Sequence, residues 1–122
     1  SGTSFVTSSD YRLKENQTAI TDGITRLKQL KPYKFNFKAD SSTVLDGFFA
    51  HEVSSVVPEA VSGEKDAVAT EANVKSGIAE NVGDVVPQGL DHAKLVPLLT
   101  AALQEAITEI ESLKARLDAA GL

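Results

Sequence analysis

The stretch from Asp91 to the carboxy terminus constrains this chain more than any other. Val96, Leu99, Leu103, Ala106, Ile110, Leu113, Leu117 and Ala120 step alternately by three and four. An a/d seam kept over more than three heptads is the mark of a helix that packs on other helices. Asp91 suits the cap, Pro97 falls in the first turn where its missing N–H costs little, and Gly121 suits the stop. Glu109 at a g position and Lys114 at the following e position favour parallel strands. Ile107, at another e position, widens the apolar face. The mixed Val, Leu, Ile and Ala core does not choose between two and three strands. The competing reading is an amphipathic helix packed on its own domain; the unbroken stepping favours self-association.

Upstream the signals are shorter. Ile20, Ile24, Leu27 and Leu30 recur at helical spacing and predict a short helix ended by Pro32, with Gly23 obscuring its start. Tyr33, Phe35 and Phe37 alternate with Lys34, Asn36 and Lys38, which predicts a strand with one aromatic face turned to the core. After a polar turn at 39–43, Val44 to Val53 is its expected hairpin partner. A helical turn is expected around Ser54–Val57, stopping near Pro58. Residues 61–90 hold four glycines and a proline among scattered valines and acids. They predict an extended arm or irregular hairpin lying against a partner surface, since a structureless loop of that length is unusual.

Composition removes several function classes. The net charge of −5 disfavours nucleic-acid binding, which draws on Lys and Arg. With no cysteine, neither a disulfide nor a thiolate metal site can form. No apolar run approaches the roughly 20 residues needed to span a bilayer, and the first residues lack the pattern of a signal peptide. His51, expected in the second strand, and His92, at the helix start, have no metal-ligand spacing, so no metal or other cofactor is expected. Nor is there a phosphate-binding glycine motif.

Near the amino terminus, Ser9 stands five positions before Lys14 in Ser8-Ser9-Asp10-Tyr11-Arg12-Leu13-Lys14. A serine hydroxyl needs a base to become nucleophilic, and a neutral lysine can serve. Such a lysine must drop about three units from its reference pKa of about 10.4, through burial or nearby cations such as Arg12. Spacing alone is weak support. On a helix, five residues rise about 7.5 Å and turn the groups apart. On a strand they sit about 16 Å apart on opposite faces. Only an intervening turn, or contact between subunits, brings them together.

The segment Ser9-Asp10-Tyr11-Arg12-Leu13-Lys14-Glu15-Asn16 resembles the opening motif of the carboxy-terminal intramolecular chaperone domains of bacteriophage tail fibres, tailspikes and endosialidases. Three later segments agree in order: Leu27-Lys28-Gln29-Leu30-Lys31-Pro32, Gly47-Phe48-Phe49-Ala50-His51-Glu52-Val53 with Pro58-Glu59-Ala60-Val61, and Gln88 through Leu99. The module also resembles one in myelin regulatory factor. The resemblance implies a homotrimer that helps an upstream β-rich stalk fold, then cleaves the Ser8–Ser9 bond. It further implies Ser9 as nucleophile, Lys14 as general base, and Asp10 and Arg12 as organisers of the site. The 61–90 stretch departs most from the family pattern.

The expected fold is therefore α+β, with a short helix, a small antiparallel hairpin, an arm at 61–90 and a helix at 91–120 forming a parallel trimeric coiled coil. Val96, Leu99, Leu103, Ala106, Ile110, Leu113 and Leu117 would make the trimer contacts. Residues 1–8 would be the end of an upstream fibre and 9–122 the chaperone domain. Partners would be two further copies and the stalk, with no nucleic acid and no membrane. The precursor would be made in the host bacterial cytoplasm, and the domain released from the mature virion. Rival expectations are a trimerisation tip that never cleaves and a receptor-binding fibre tip.

Overall fold

Leu95, Leu98 and Ala102 follow helical spacing one position behind the heptad seam, and these three are buried. They give the long carboxy-terminal helix a second apolar stripe, and the protein's core forms on it. In the computed structural model, which describes residues 8–122, that core joins Leu95 and Leu98 to Val53, Val56, Val57 and Ala60. Leu30, Phe48, Val61 and Leu90 close its edges. The elements in chain order are α1 (Gly23–Leu27), β1 (Tyr33–Phe35), β2 (Leu45–Gly47), α2 (Ala50–Ser54), β3 (Val61–Ser62), α3 (Glu71–Lys75), β4 (Gly89–Leu90) and α4 (Val96–Ala119). Single 3₁₀ turns occupy Tyr11–Leu13, Pro58–Ala60 and His92–Leu95. Among the described residues the architecture is α+β, with two small antiparallel sheets and one long helix.

Helix α4 takes the place its sequence predicts. Asp91 caps the preceding 3₁₀ turn by accepting from Ala93 N, Pro97 lies in the first turn, and Gly121 ends the helix at φ +75°. The heptad seam faces away from the core. Val96, Leu103 and Ile110 are 54, 63 and 62% exposed, whereas Leu98 is 2% exposed. The stripe at Leu95, Leu98 and Ala102 packs on its own domain, as the competing reading has it, and the heptad seam is left uncovered.

Three upstream expectations need correction. Helix α1 starts at Gly23 and leaves Ile20 outside it. A helix this short cannot stand alone, and α1 is held by its packing on α4. The hairpin is shorter than expected: Tyr33 pairs with Gly47, Lys34 with Asp46 and Phe35 with Leu45. After Phe49 the chain turns into α2, because Val53, Val56 and Val57 reach the core only at helical spacing. His51 accordingly lies on a helix, its ring stacked on Phe49 at 6.1 Å between centroids.

The aromatic face of β1 is not the core either. Tyr33, Phe35 and Phe37 line an open groove of about 490 Å³ with Leu45, Phe48 and Phe49. Phe37 is 63% exposed. Two strands of three residues carry too little surface to be one wall of the core, and α4 supplies that wall instead.

Segment 61–90 forms an irregular hairpin rather than a simple extended arm. Val61 pairs with Leu90 and Ser62 with Gly89 at its base, and an isolated bridge joins Val68 to Val85 further out. Between them α3 is fixed by a capping box in which Thr70 and Asn73 exchange side-chain to backbone bonds. Among the described residues, no helix is long and apolar enough to cross a membrane.

Candidate functional site

Asp10 nucleates the turn that carries the candidate site. Its backbone is extended, and its side chain accepts from Arg12 N at 2.9 Å, the bond that starts the Tyr11–Leu13 3₁₀ turn. Arg12 folds back on the same carboxylate through Nε at 3.0 Å and Nη2 at 2.9 Å. That paired geometry is the strong form of a guanidinium–carboxylate contact. The Arg12 side-chain bonds, helped by its backbone N–H, hold the Asp10 carboxyl below its usual range. Lys14 N then donates to Tyr11 O at 3.2 Å and ends the turn in extended backbone.

One tight turn closes the gap that neither regular element could close. Lys14 Nζ lies 2.7 Å from Ser9 Oγ, within the same chain. Ser9 and Lys14 are both exposed in the single chain, as are Tyr11 and Leu13, at 82 and 74%. Ser8, whose carbonyl precedes Ser9, is exposed too. The sequence therefore named four residues that the fold brings together: Ser9, Asp10, Arg12 and Lys14. The expectation that residues 1–8 end a fibre lies, apart from Ser8, outside the described residues.

The segment after the turn runs onto α4. Ala19 and Ile20 share a shallow groove with Val96, Thr100 and Ala101. Gly23 N donates to Glu105 Oε2 at 2.7 Å, and Ile24 N to Glu105 Oε1 at 3.3 Å. Glu105 escaped the sequence reading because a charged residue off the heptad seam looks solvated. Its half-buried place in register with Leu95, Leu98 and Ala102 was the available signal.

The other residues weighed from sequence fall elsewhere. His92 lies beside Phe48, 6.2 Å between centroids. Among the described residues, no cluster of three or more His, Cys, Asp or Glu could hold a metal ion. The uncovered seam runs along α4, and only Ala106 of the seven named contact positions is half-buried.

Residues 9–62 match the family model Peptidase_S74, described as chaperone of endosialidase. That segment is similar to the endosialidase-chaperone family. The match begins at Ser9 and takes in the turn, α1, the hairpin, α2 and β3. A chaperone role fits the family, and its name marks it as peptidase-related. Helix α4 and most of the 61–90 hairpin stand beyond the matched residues. No curated protein matches the chain.

Proposed function

We propose that this chain is an intramolecular chaperone that trimerises through α4, templates an upstream phage fibre or tailspike, and frees itself by cutting the Ser8–Ser9 bond. The observation that carries the reading is the 2.7 Å contact between Lys14 Nζ and Ser9 Oγ, at the first residue of the family match. Lys14, once neutral, takes the proton of the Ser9 hydroxyl while Oγ attacks the carbonyl carbon of residue 8. The C–N bond breaks and the Ser9 amino group takes a proton, leaving an ester between residue 8 and Ser9 Oγ. Water opens that ester to give the residue 8 carboxylate and a chain that begins at Ser9. Asp10 and Arg12 keep the turn closed so that the two groups stay in reach.

The exposure of the pair gives assembly its part in the reaction. A solvated ammonium is no base, so a surface from outside the single chain must exclude water. The uncovered seam at Val96, Leu99, Leu103, Ala106, Ile110, Leu113 and Leu117 supplies the means of bringing three copies together. Intertwined β-stalks have many non-local contacts and nucleate slowly; joined helices raise the local concentration of their ends and set register. After cleavage the stalk stays folded because unfolding is slow. In this reading the precursor assembles in the host bacterial cytoplasm, and the released domain is absent from the virion.

The same exposure favours one second reading, a trimerisation tip that never cleaves. Intact mass of the chain with native upstream sequence separates the two. Cleavage yields a fragment starting at Ser9, and Ser9→Ala gives an uncut trimer. A normally cut Ser9→Ala protein removes the nucleophile, and an uncut parent protein leaves the non-cleaving tip.

A further inference from the structure

Helix α1 lacks a cap of its own. Asp22 precedes it with backbone at φ −115°, ψ 29° and makes no side-chain capping bond; its carboxylate pairs with Arg26 at 3.7 Å instead. The two amides that open the helix, Gly23 N and Ile24 N, are both taken by Glu105, more than eighty residues away. Contact there is close enough to require glycine: a Cβ at position 23 would fall 2.6 Å from Ala102 N and 2.9 Å from Ala101 C. Both obstacles are backbone of α4, which cannot give way as a side chain would.

The clamp lies between the two functional parts of the chain. Only eight residues lie between Lys14 and Gly23, a tether of roughly 30 Å at full extension. If the clamp opens, the next anchors along the chain are the bond from Arg26 Nη2 to Val56 O at 3.0 Å and Leu30 on the core, so the free tether lengthens. One position from Glu105, about 100° around α4, is Ala106 of the heptad seam.

We infer that Glu105 is a positioning residue for the Ser9–Lys14 pair. By capping α1 from α4, it fixes where the turn carrying the pair stands relative to the threefold bundle that must shield it. This rests on the self-cleavage reading above. The dyad's internal geometry is set locally by Asp10 and Arg12; Glu105 sets its place in the assembly.

The test uses the full chain with its native upstream sequence, in three forms: parent, Glu105→Ala and Glu105→Gln. Sizing gives the oligomer, amide exchange reports Gly23 and Ile24, and intact mass against time gives the cleavage rate. Loss of the cap is expected to raise exchange at both amides about tenfold. In Glu105→Ala, cleavage slows by a similar factor in a trimer that still forms. Glu105→Gln, which keeps one acceptor and the side-chain volume, restores part of both, and it carries the test should Glu105→Ala fail to assemble. Faster exchange with unchanged cleavage overturns the inference, as does unchanged exchange. A parent chain that never cleaves defeats the self-cleavage reading itself, and with it any residue said to position the pair.

Discussion

A single residue, Arg12, supplies three donors to the carboxylate of Asp10, through its backbone N, its Nε and its Nη2. These bonds favour the charged form of Asp10, whose folded pKa therefore lies below the ordinary 3.8. A depressed acid contributes its stabilisation above the unfolded value and loses it as pH falls through the folded one. The turn should thus be intact at neutral pH and open only below about pH 4. An NMR titration following the Arg12 Nε–H should show this transition, and Asp10→Asn should abolish it. In the full chain, that variant should also slow release of the Ser9 fragment several-fold.

Leu98 and Leu99 are neighbours in sequence with opposite surroundings, 2% and 44% exposed. Leu98→Ala should cost the single chain about 2–5 kcal/mol, the range for emptying a buried leucine site. Leu99→Ala should change single-chain stability by less than about 1 kcal/mol, since it leaves no internal cavity. It should instead weaken association. Denaturant unfolding at low concentration, paired with sizing across a dilution series, separates the two effects.

Thr70 and Asn73 hold α3 through reciprocal bonds, with Thr70 N at 2.8 Å from Asn73 Oδ1 and Asn73 N at 3.2 Å from Thr70 Oγ1. Thr70→Ala should destabilise this short helix by about 0.5–2 kcal/mol. The loss should stay local, because α3 buries no residue and touches none of the core valines. Amide exchange at Asn73 and Val74 should quicken while the thermal midpoint of the body holds still.

Legibility in the sequence followed the strength of periodicity. Helix α4 was readable to within a few residues, because its eight seam positions repeat without error. The stripe at Leu95, Leu98 and Ala102 was hidden beneath that stronger pattern. Its role emerged only once Val53, Val56 and Val57 were seen to pack on it. The alternation of Tyr33, Phe35 and Phe37 correctly marked a strand, but alternation cannot say whether the apolar face is covered. Phe48 and Phe49 resembled a continuing strand because no turn residue announces α2. At the candidate site, the residue types and the need for a turn were legible. The Asp10 cap that makes the turn was not, since spacing carries no backbone angles. Glu105 shares the register of Leu95, Leu98 and Ala102, but its bonds to Gly23 and Ile24 join distant parts of the chain, which that register does not announce.

The two-residue ladder of Val61 with Leu90 and Ser62 with Gly89 has an architectural consequence. Everything from Gly63 to Gln88 leaves and re-enters the body through one narrow neck, whose two sides are already joined. The excursion can therefore be shortened, lengthened or exchanged for another sequence at little entropic cost to the body. Natural variants of this module should differ most in that lobe, which makes it the natural port for grafting a foreign recognition element.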